Sequence, residues 1–166
     1  MVQQSKSAGA GRAPTPLRAH VLIFEARFYE AIADMLAEGA VAACAARGVS
    51  FERIVVPGAL EIPQAFAAAC AAKAAGRLAF DGAIVLGCVI RGETAHYDIV
   101  CNNANHWTYE AALRHDVPVG NGILTVDTEA QAIARAEGGI NGKGGDAARA
   151  CLQLIEHKRA FWSRST

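Results

Sequence analysis

What constrains this chain most is a regular alternation: short aliphatic runs take turns with longer alanine-rich stretches, and glycine or proline separates most of them. Ala19-His20-Val21-Leu22-Ile23-Phe24-Glu25 is apolar on consecutive positions, as a strand covered on both faces should be. The spacing then predicts a helix over 30–47, with Ile32, Met35, Leu36 and Val41 on one side and Gly48 where a left-handed C-cap is wanted. Phe51 to Val56 reads as a second strand, closed by Pro57-Gly58. Ile62-Pro63 opens another helix, since proline is tolerated in the first turn, and Gly76 stops it. Strands over 83–90 and 117–126, helices over 96–114 and 129–136, a glycine-rich link over 138–145 and a last helix over 146–161 complete the order βαβαβαβαα.

Strands alternating with helices of this length call for parallel strands joined by right-handed crossovers. The expected fold is therefore an α/β three-layer αβα sandwich with a four-stranded, mainly parallel sheet and flavodoxin-like topology. It forms one domain over 19–161, between tails at 1–18 and 162–166. A chain of 166 residues buries roughly 70% of its unfolded surface at this size, so it needs no disulfide or metal to hold a core. With 52% apolar and 19% charged residues it falls outside the disordered class. Sixteen Lys+Arg balance sixteen Asp+Glu, which leaves no global positive field to draw nucleic acid or an anionic membrane.

Apolar stretches such as Phe66 to Ala72 fall far short of the about 20 residues that span a bilayer. Met1 to Arg18 is polar and lacks the apolar centre of a secretory signal. The five cysteines, Cys44, Cys70, Cys88, Cys101 and Cys151, are scattered with no CxxC pair, so they read as small apolar residues in a reducing cytoplasm rather than a disulfide or zinc framework. The helices over 62–75 and 146–161 carry alanine nearly all the way round. Helices apolar on more than one face usually bury more than one, which points to packing between subunits.

In open parallel sheets, ligands bind beyond the carboxyl ends of the strands. Four segments converge there: Ala26 to Tyr29, Pro57 to Pro63, Arg91 to His96, and Thr125 to Thr128 with Arg135 on the helix that follows. The third is a strand, a glycine turn and a helix N-terminus, where unpaired N–H groups and the helix dipole favour an anion. Thr94 serves there either as an N-cap or as a phosphate donor. His96 serves either in proton transfer or only to fill the first turn. Arg135 can hold a phosphate with two parallel hydrogen bonds, although a helical arginine is more often a solvated charge. Glu61 sits between two prolines and two aliphatic neighbours, an odd setting for an idle carboxylate. Phe28 follows a strand end, where it either stacks on a heterocycle or joins the core. The glycines at 138–145 follow a helix and match neither G-x-G-x-x-G nor G-x-x-x-x-G-K-[ST], which excludes Rossmann and P-loop readings.

Pro57-Gly58-Ala59-Leu60-Glu61-Ile62-Pro63, Gly87-Cys88-Val89-Ile90-Arg91-Gly92-Glu93-Thr94-Ala95-His96-Tyr97-Asp98 and Gly122-Ile123-Leu124-Thr125 resemble, in that order, the motifs of the lumazine synthase family. The resemblance covers about residues 19 to 161. It implies condensation of 5-amino-6-(D-ribitylamino)uracil with 3,4-dihydroxy-2-butanone 4-phosphate to 6,7-dimethyl-8-ribityllumazine, phosphate and water, a step of riboflavin biosynthesis that needs no metal or organic cofactor.

Carried over by motif, His96 is expected to transfer protons. Arg135, the Glu93 backbone and the Thr94 side chain are expected to clamp the phosphate. Phe28 is expected to stack on the pyrimidine, with Ala59, Leu60 and Glu61 along the ribityl chain. Cys88, Val89 and Ile90 are expected at the pyrimidine edge, and Lys143 near the phosphate. Asn121 stands where many relatives have a phenylalanine that reaches a neighbouring subunit's site, so contact there cannot take the form of stacking. The resemblance further implies a cytoplasmic homo-oligomer with its sites between subunits, a pentamer or a sixty-subunit shell of pentamers. The alternative activity is a paralogue that binds flavin or lumazine with little catalysis.

Overall fold

The computed structural model describes residues 14–164. Much of the tail expected at 1–18 lies outside that range, as do residues 165 and 166. Within it the chain begins to pack at Leu17, which is buried and donates its N–H to the Arg47 carbonyl at 2.8 Å.

Four strands, β1 (His20–Ala26), β2 (Ser50–Val56), β3 (Gly82–Ile90) and β4 (Val119–Val126), form one sheet in the order β2-β1-β3-β4. Every neighbouring pair is parallel. This is the flavodoxin-like order, with β1 and β3 central and each connection crossing over through a helix. The helices are α1 (Glu30–Ala46), α2 (Ile62–Ala74), α3 (His96–His115), α4 (Glu129–Ala136) and α5 (Lys143–Trp162).

The period of two along each strand decides which layer each side chain joins. Val21, Ile23, Ile84, Leu86, Leu124 and Val126 meet α1, α4 and α5 in one cluster. Leu22, Phe24, Ala83, Val85 and Val119 meet α2 and α3 in the other. Both faces are thus covered, as the consecutive apolar residues required. Gly48 and Gly76 adopt positive φ of 65° and 70°, the left-handed geometry that ends α1 and α2.

The glycine-rich stretch corrects one expectation. It is not a link reaching to 145: a 3₁₀ turn covers Gly139–Asn141 and α5 starts at Lys143. Gly144 and Gly145 lie in its first turn, Gly145 because a Cβ there would stand 1.9 Å from the Ile140 carbonyl oxygen of the 3₁₀ turn, and Gly144 because α5 crosses α1 almost backbone to backbone. A Cβ on Gly144 would stand 1.9 Å from the Leu36 carbonyl oxygen. Gly120 of β4 makes the matching allowance on the other side of α5, where a Cβ would stand 1.9 Å from the Ala147 carbonyl oxygen.

One buried hydroxyl breaks the pattern of satisfied polar groups. Thr108 on α3 is fully buried and its Oγ1 has no hydrogen-bond partner. An unmet hydroxyl costs about 1–3 kcal/mol, whereas an apolar group of the same shape costs little. Thr108→Val is therefore expected to stabilise the chain by about 1 kcal/mol, or about 2–4 °C in Tm for a chain of this size. A lower Tm in thermal unfolding would mean that the hydroxyl has a partner in solution.

Candidate active site

Because all four strands run the same way, their carboxyl ends share one rim, and the four polar segments leave from it. Ala26 of β1 pairs with Val56 of β2, and Ile90 of β3 with Val126 of β4. The rim on the α3 side is lined by a small apolar cluster of Ala59, Val100 and Ala104, with Leu60, Val89 and Ile123 packed on it. That cluster seats the turn after β2 against the end of β3 and the first turns of α3.

Phe28 stands just past β1, 73% exposed, with its ring edge-on to Tyr29 at a centroid distance of 5.0 Å. It is not a core aromatic. Three residues earlier, near the end of β1, stands a carboxylate to which the sequence motifs assign no role. Glu25 is fully buried. It accepts from Arg53 Nε at 2.5 Å and Nη2 at 2.9 Å, and from Arg27 Nη1 at 3.2 Å. Arg27 also donates to Asp34 of α1 at 2.5 Å. The Asp34 hydrogen bond holds the Arg27 guanidinium's pKa above its ordinary value, and the Glu25 bond does the same for Arg53. The chain of ion pairs from β2 through β1 to α1 fixes the turn that presents Phe28. Its sequence signal was present: a charged residue ending an otherwise apolar strand needs a partner once that strand is buried.

Ala59–Glu61 form a 3₁₀ turn leading into α2. Ala59 is buried, Leu60 and Glu61 half-buried. Gly58 makes room for the carboxylate, since a Cβ there would stand 3.0 Å from Glu61 Oε2. Cys88 points toward α1 and α5, Val89 toward α3. Burial pushes the Cys88 thiol up to about 11, so it stays protonated at neutral pH and is no nucleophile.

Glu93, Thr94 and His96 are all exposed. The His96 N–H donates to Thr94 Oγ1 at 3.3 Å. Thr94 Oγ1 thus accepts from the first turn of α3 while its O–H can still donate, and the His96 side chain is exposed. Arg135 lies on α4, exposed, with Nη1 donating to the Gln131 carbonyl at 2.9 Å. α4 packs with α1 and α5, on the face opposite α3. Lys143 opens α5, its Nζ 3.5 Å from Asp146 Oδ2.

Asn121 is held within its own chain. Its Oδ1 accepts from the Ile123 N–H at 2.8 Å and its Nδ2 donates to Asn105 Oδ1 of α3 at 2.5 Å. On an edge strand, where backbone donors are left over, the side chain supplies one of them with a partner.

The structure thus gathers Phe28, Ala59, Leu60, Glu61, Val89, Glu93, Thr94 and His96 along one rim, while Arg135 and Lys143 sit on helices of the opposite layer. Among the described residues no group of three or more His, Cys, Asp or Glu side chains could hold a metal ion. No helix there is long and apolar enough to cross a membrane.

Fold and rim together define a class: a single-sheet parallel α/β protein with its polar groups at the strand ends, the place where open parallel sheets bind ligands. A sequence model described as 6,7-dimethyl-8-ribityllumazine synthase matches residues 18–159. A protein of that name from Nitrobacter hamburgensis is 48% identical over 157 residues, 92% of this chain and 96% of its own length. One from Methylocella silvestris is 53% identical over 137 residues, covering 82% and 83%. A Rhodopseudomonas palustris protein named 6,7-dimethyl-8-ribityllumazine synthase 1 is 51% identical over 142 residues, covering 85% and 86%. The chain belongs to the 6,7-dimethyl-8-ribityllumazine synthase family.

Proposed function

We propose that this chain condenses 5-amino-6-(D-ribitylamino)uracil with 3,4-dihydroxy-2-butanone 4-phosphate, releasing 6,7-dimethyl-8-ribityllumazine, phosphate and water. The observation that carries the reading is the meeting of the 57–63, 87–98 and 122–125 motifs at one rim of the sheet in a chain of this family. The chemistry asks for an attacking amine held against a ketone, proton transfer as water and phosphate leave, and an anion clamp. His96, exposed at the first turn of α3, is the proton-transfer group. The Glu93 backbone, Thr94, Arg135 and Lys143 form the phosphate end. Phe28 stacks on the pyrimidine, Val89, Ile90 and the backbone of Cys88 meet its edge, and Ala59, Leu60 and Glu61 follow the ribityl chain.

This reading takes the working enzyme to be a cytoplasmic homo-oligomer, a pentamer at least. Exposed Phe28, Leu113 (82%) and Trp162 (80%) are costly to leave wet and suit a subunit interface. The placement of Arg135 and α3 on opposite layers supports sites completed by a second copy, where Asn121 would also contribute. Sedimentation of the pure protein tests this, and a monomer at working concentration would overturn it.

The reaction itself is tested by mixing the protein with both substrates and following lumazine absorbance and released phosphate. No turnover above the spontaneous condensation would overturn the reading, and tight lumazine or flavin binding without turnover would point to a binding paralogue instead. Arg135→Ala is expected to raise KM for the phosphorylated substrate about tenfold or more, the worth of a charge-assisted hydrogen bond. KM for the pyrimidine should change little. An unaltered KM for the phosphate ester would remove Arg135 from the clamp.

A further inference from the structure

Arg91 is the one charged residue of the β3–α3 connection for which the resemblance implied no role beyond membership of the motif, yet its side chain has partners on both flanking segments. Its N–H continues the sheet by one step, donating to the Val126 carbonyl at 2.9 Å. Its Nε donates to Asp127 Oδ1 at 2.9 Å, and Nη1 lies 3.8 Å from Asp98 Oδ1. Its guanidinium stacks over the Tyr97 ring, 4.1 Å from the centroid.

Asp127 is itself anchored. Its N–H donates to Gln131 Oε1 at 2.9 Å, and the next residue, Thr128, caps α4 by accepting the Gln131 N–H at 3.2 Å. Arg91 and Tyr97 therefore bracket residues 92–96: Arg91 is bonded to the end of β4 and to Asp127 just after it, and the Tyr97 ring is held against the Arg91 guanidinium. Between them lie Gly92, around which nothing would obstruct a Cβ, and four exposed residues, Glu93 to His96. A short exposed turn with an uncrowded glycine has little packing of its own to fix it.

We propose that Arg91 is a positioning residue for the condensation. Through Asp127 and Tyr97 it holds the 92–96 turn in the geometry that presents its backbone N–H groups to phosphate and His96 to the reacting atoms. The inference rests on the reading of that turn given above. An arginine suits the task because one planar group bonds a carboxylate along its edge while its face stacks on a ring. A lysine has neither geometry.

The rival account is that Arg91 binds the phosphate directly, as a second positive charge. The two accounts differ in sign at Asp127. Removing a negative charge near an anion site, and freeing Arg91 from it, should tighten phosphate binding if charge alone matters. If the clasp positions the turn, Asp127→Asn should weaken it.

The experiment compares wild type, Arg91→Gln, Arg91→Lys, Asp127→Asn and the Arg91→Gln/Asp127→Asn double variant. Steady-state kinetics on both substrates are combined with calorimetric titration of inorganic phosphate and with thermal unfolding. Each single variant is expected to lower kcat about 10- to 100-fold, the scale of a misplacement of about 1 Å. Each should also raise KM for the phosphate ester and Kd for inorganic phosphate about tenfold, with KM for the pyrimidine within twofold. The double variant should be no worse than the poorer single one, as two halves of one device require. Arg91→Lys should recover less than half of the lost rate on a logarithmic scale. Tighter or unchanged phosphate binding in Asp127→Asn overturns the proposal, as does a lower Tm with kinetics unmoved. A wild type that makes no lumazine fails the reaction reading instead, and the phosphate titration then decides the clasp alone.

Discussion

His96→Ala is expected to lower kcat by about 10² or more while leaving fold and assembly intact. The size follows from general acid–base catalysis, which contributes about 10²–10⁴ when a positioned group moves the proton. The intact fold follows from local structure. His96 engages the chain through its backbone N–H, which donates to Thr94 Oγ1, and an alanine keeps that donor. Its side chain is exposed, so truncation opens no cavity, and alanine suits a first helical turn. Steady-state rates with saturating substrates, beside circular dichroism and sedimentation, separate the two effects. A rate within threefold of wild type would take the imidazole out of the mechanism. A collapse of assembly would mean that its role is structural.

The second large effect is on stability. Gly144→Ala adds one methyl group where α5 crosses α1, and that carbon would stand 1.9 Å from the Leu36 carbonyl oxygen, 2.7 Å from its carbon and 2.9 Å from its Cα. A side chain in the way could rotate; a backbone cannot. The helices would have to separate by more than 1 Å over a contact that also buries Leu36, Ala40, Ala147, Ala148 and Cys151. Overpacking typically costs about 1–3 kcal/mol. With rigid backbone on both sides the cost here is expected at or above the top of that range, about 3 kcal/mol or more. That is a large share of the about 5–15 kcal/mol that hold a domain together. Denaturant unfolding measures it. A loss below about 1 kcal/mol would show that the α1–α5 crossing is looser than described. Alanine's better helix propensity, worth about 1 kcal/mol over glycine, works against the predicted sign, so a clear loss is informative.

The stretch containing Gly144 also shows where sequence reading stops. Its glycines were legible as something other than a nucleotide loop, because they follow a helix and lack the required spacing. That Gly144 and Gly145 belong to the helix itself was not legible: glycine lowers helix propensity, and the reason for Gly144 is a neighbour, Leu36, more than a hundred positions away. The same limit applies to Glu25 and Arg91. Each could be seen as a charge in an unusual place, but the partners Arg53 and Asp127 lie on other strands or loops, and only strand register brings them together.

From the amino-acid order alone followed the alternation of strands and helices, the parallel sheet covered on both faces, and the convergence of the motifs on the strand ends. These properties are set by local periodicity and by the short connections that force neighbouring elements together. Tertiary structure alone decided that Phe28 stands exposed rather than in the core. It likewise decided that Cys88 and Val89 point to opposite layers, that Asn121 is bonded within its own chain, and that Arg135 sits across the sheet from α3. Each of these depends on which atoms meet after the chain has closed, a matter of distance and packing that spacing along the chain does not encode.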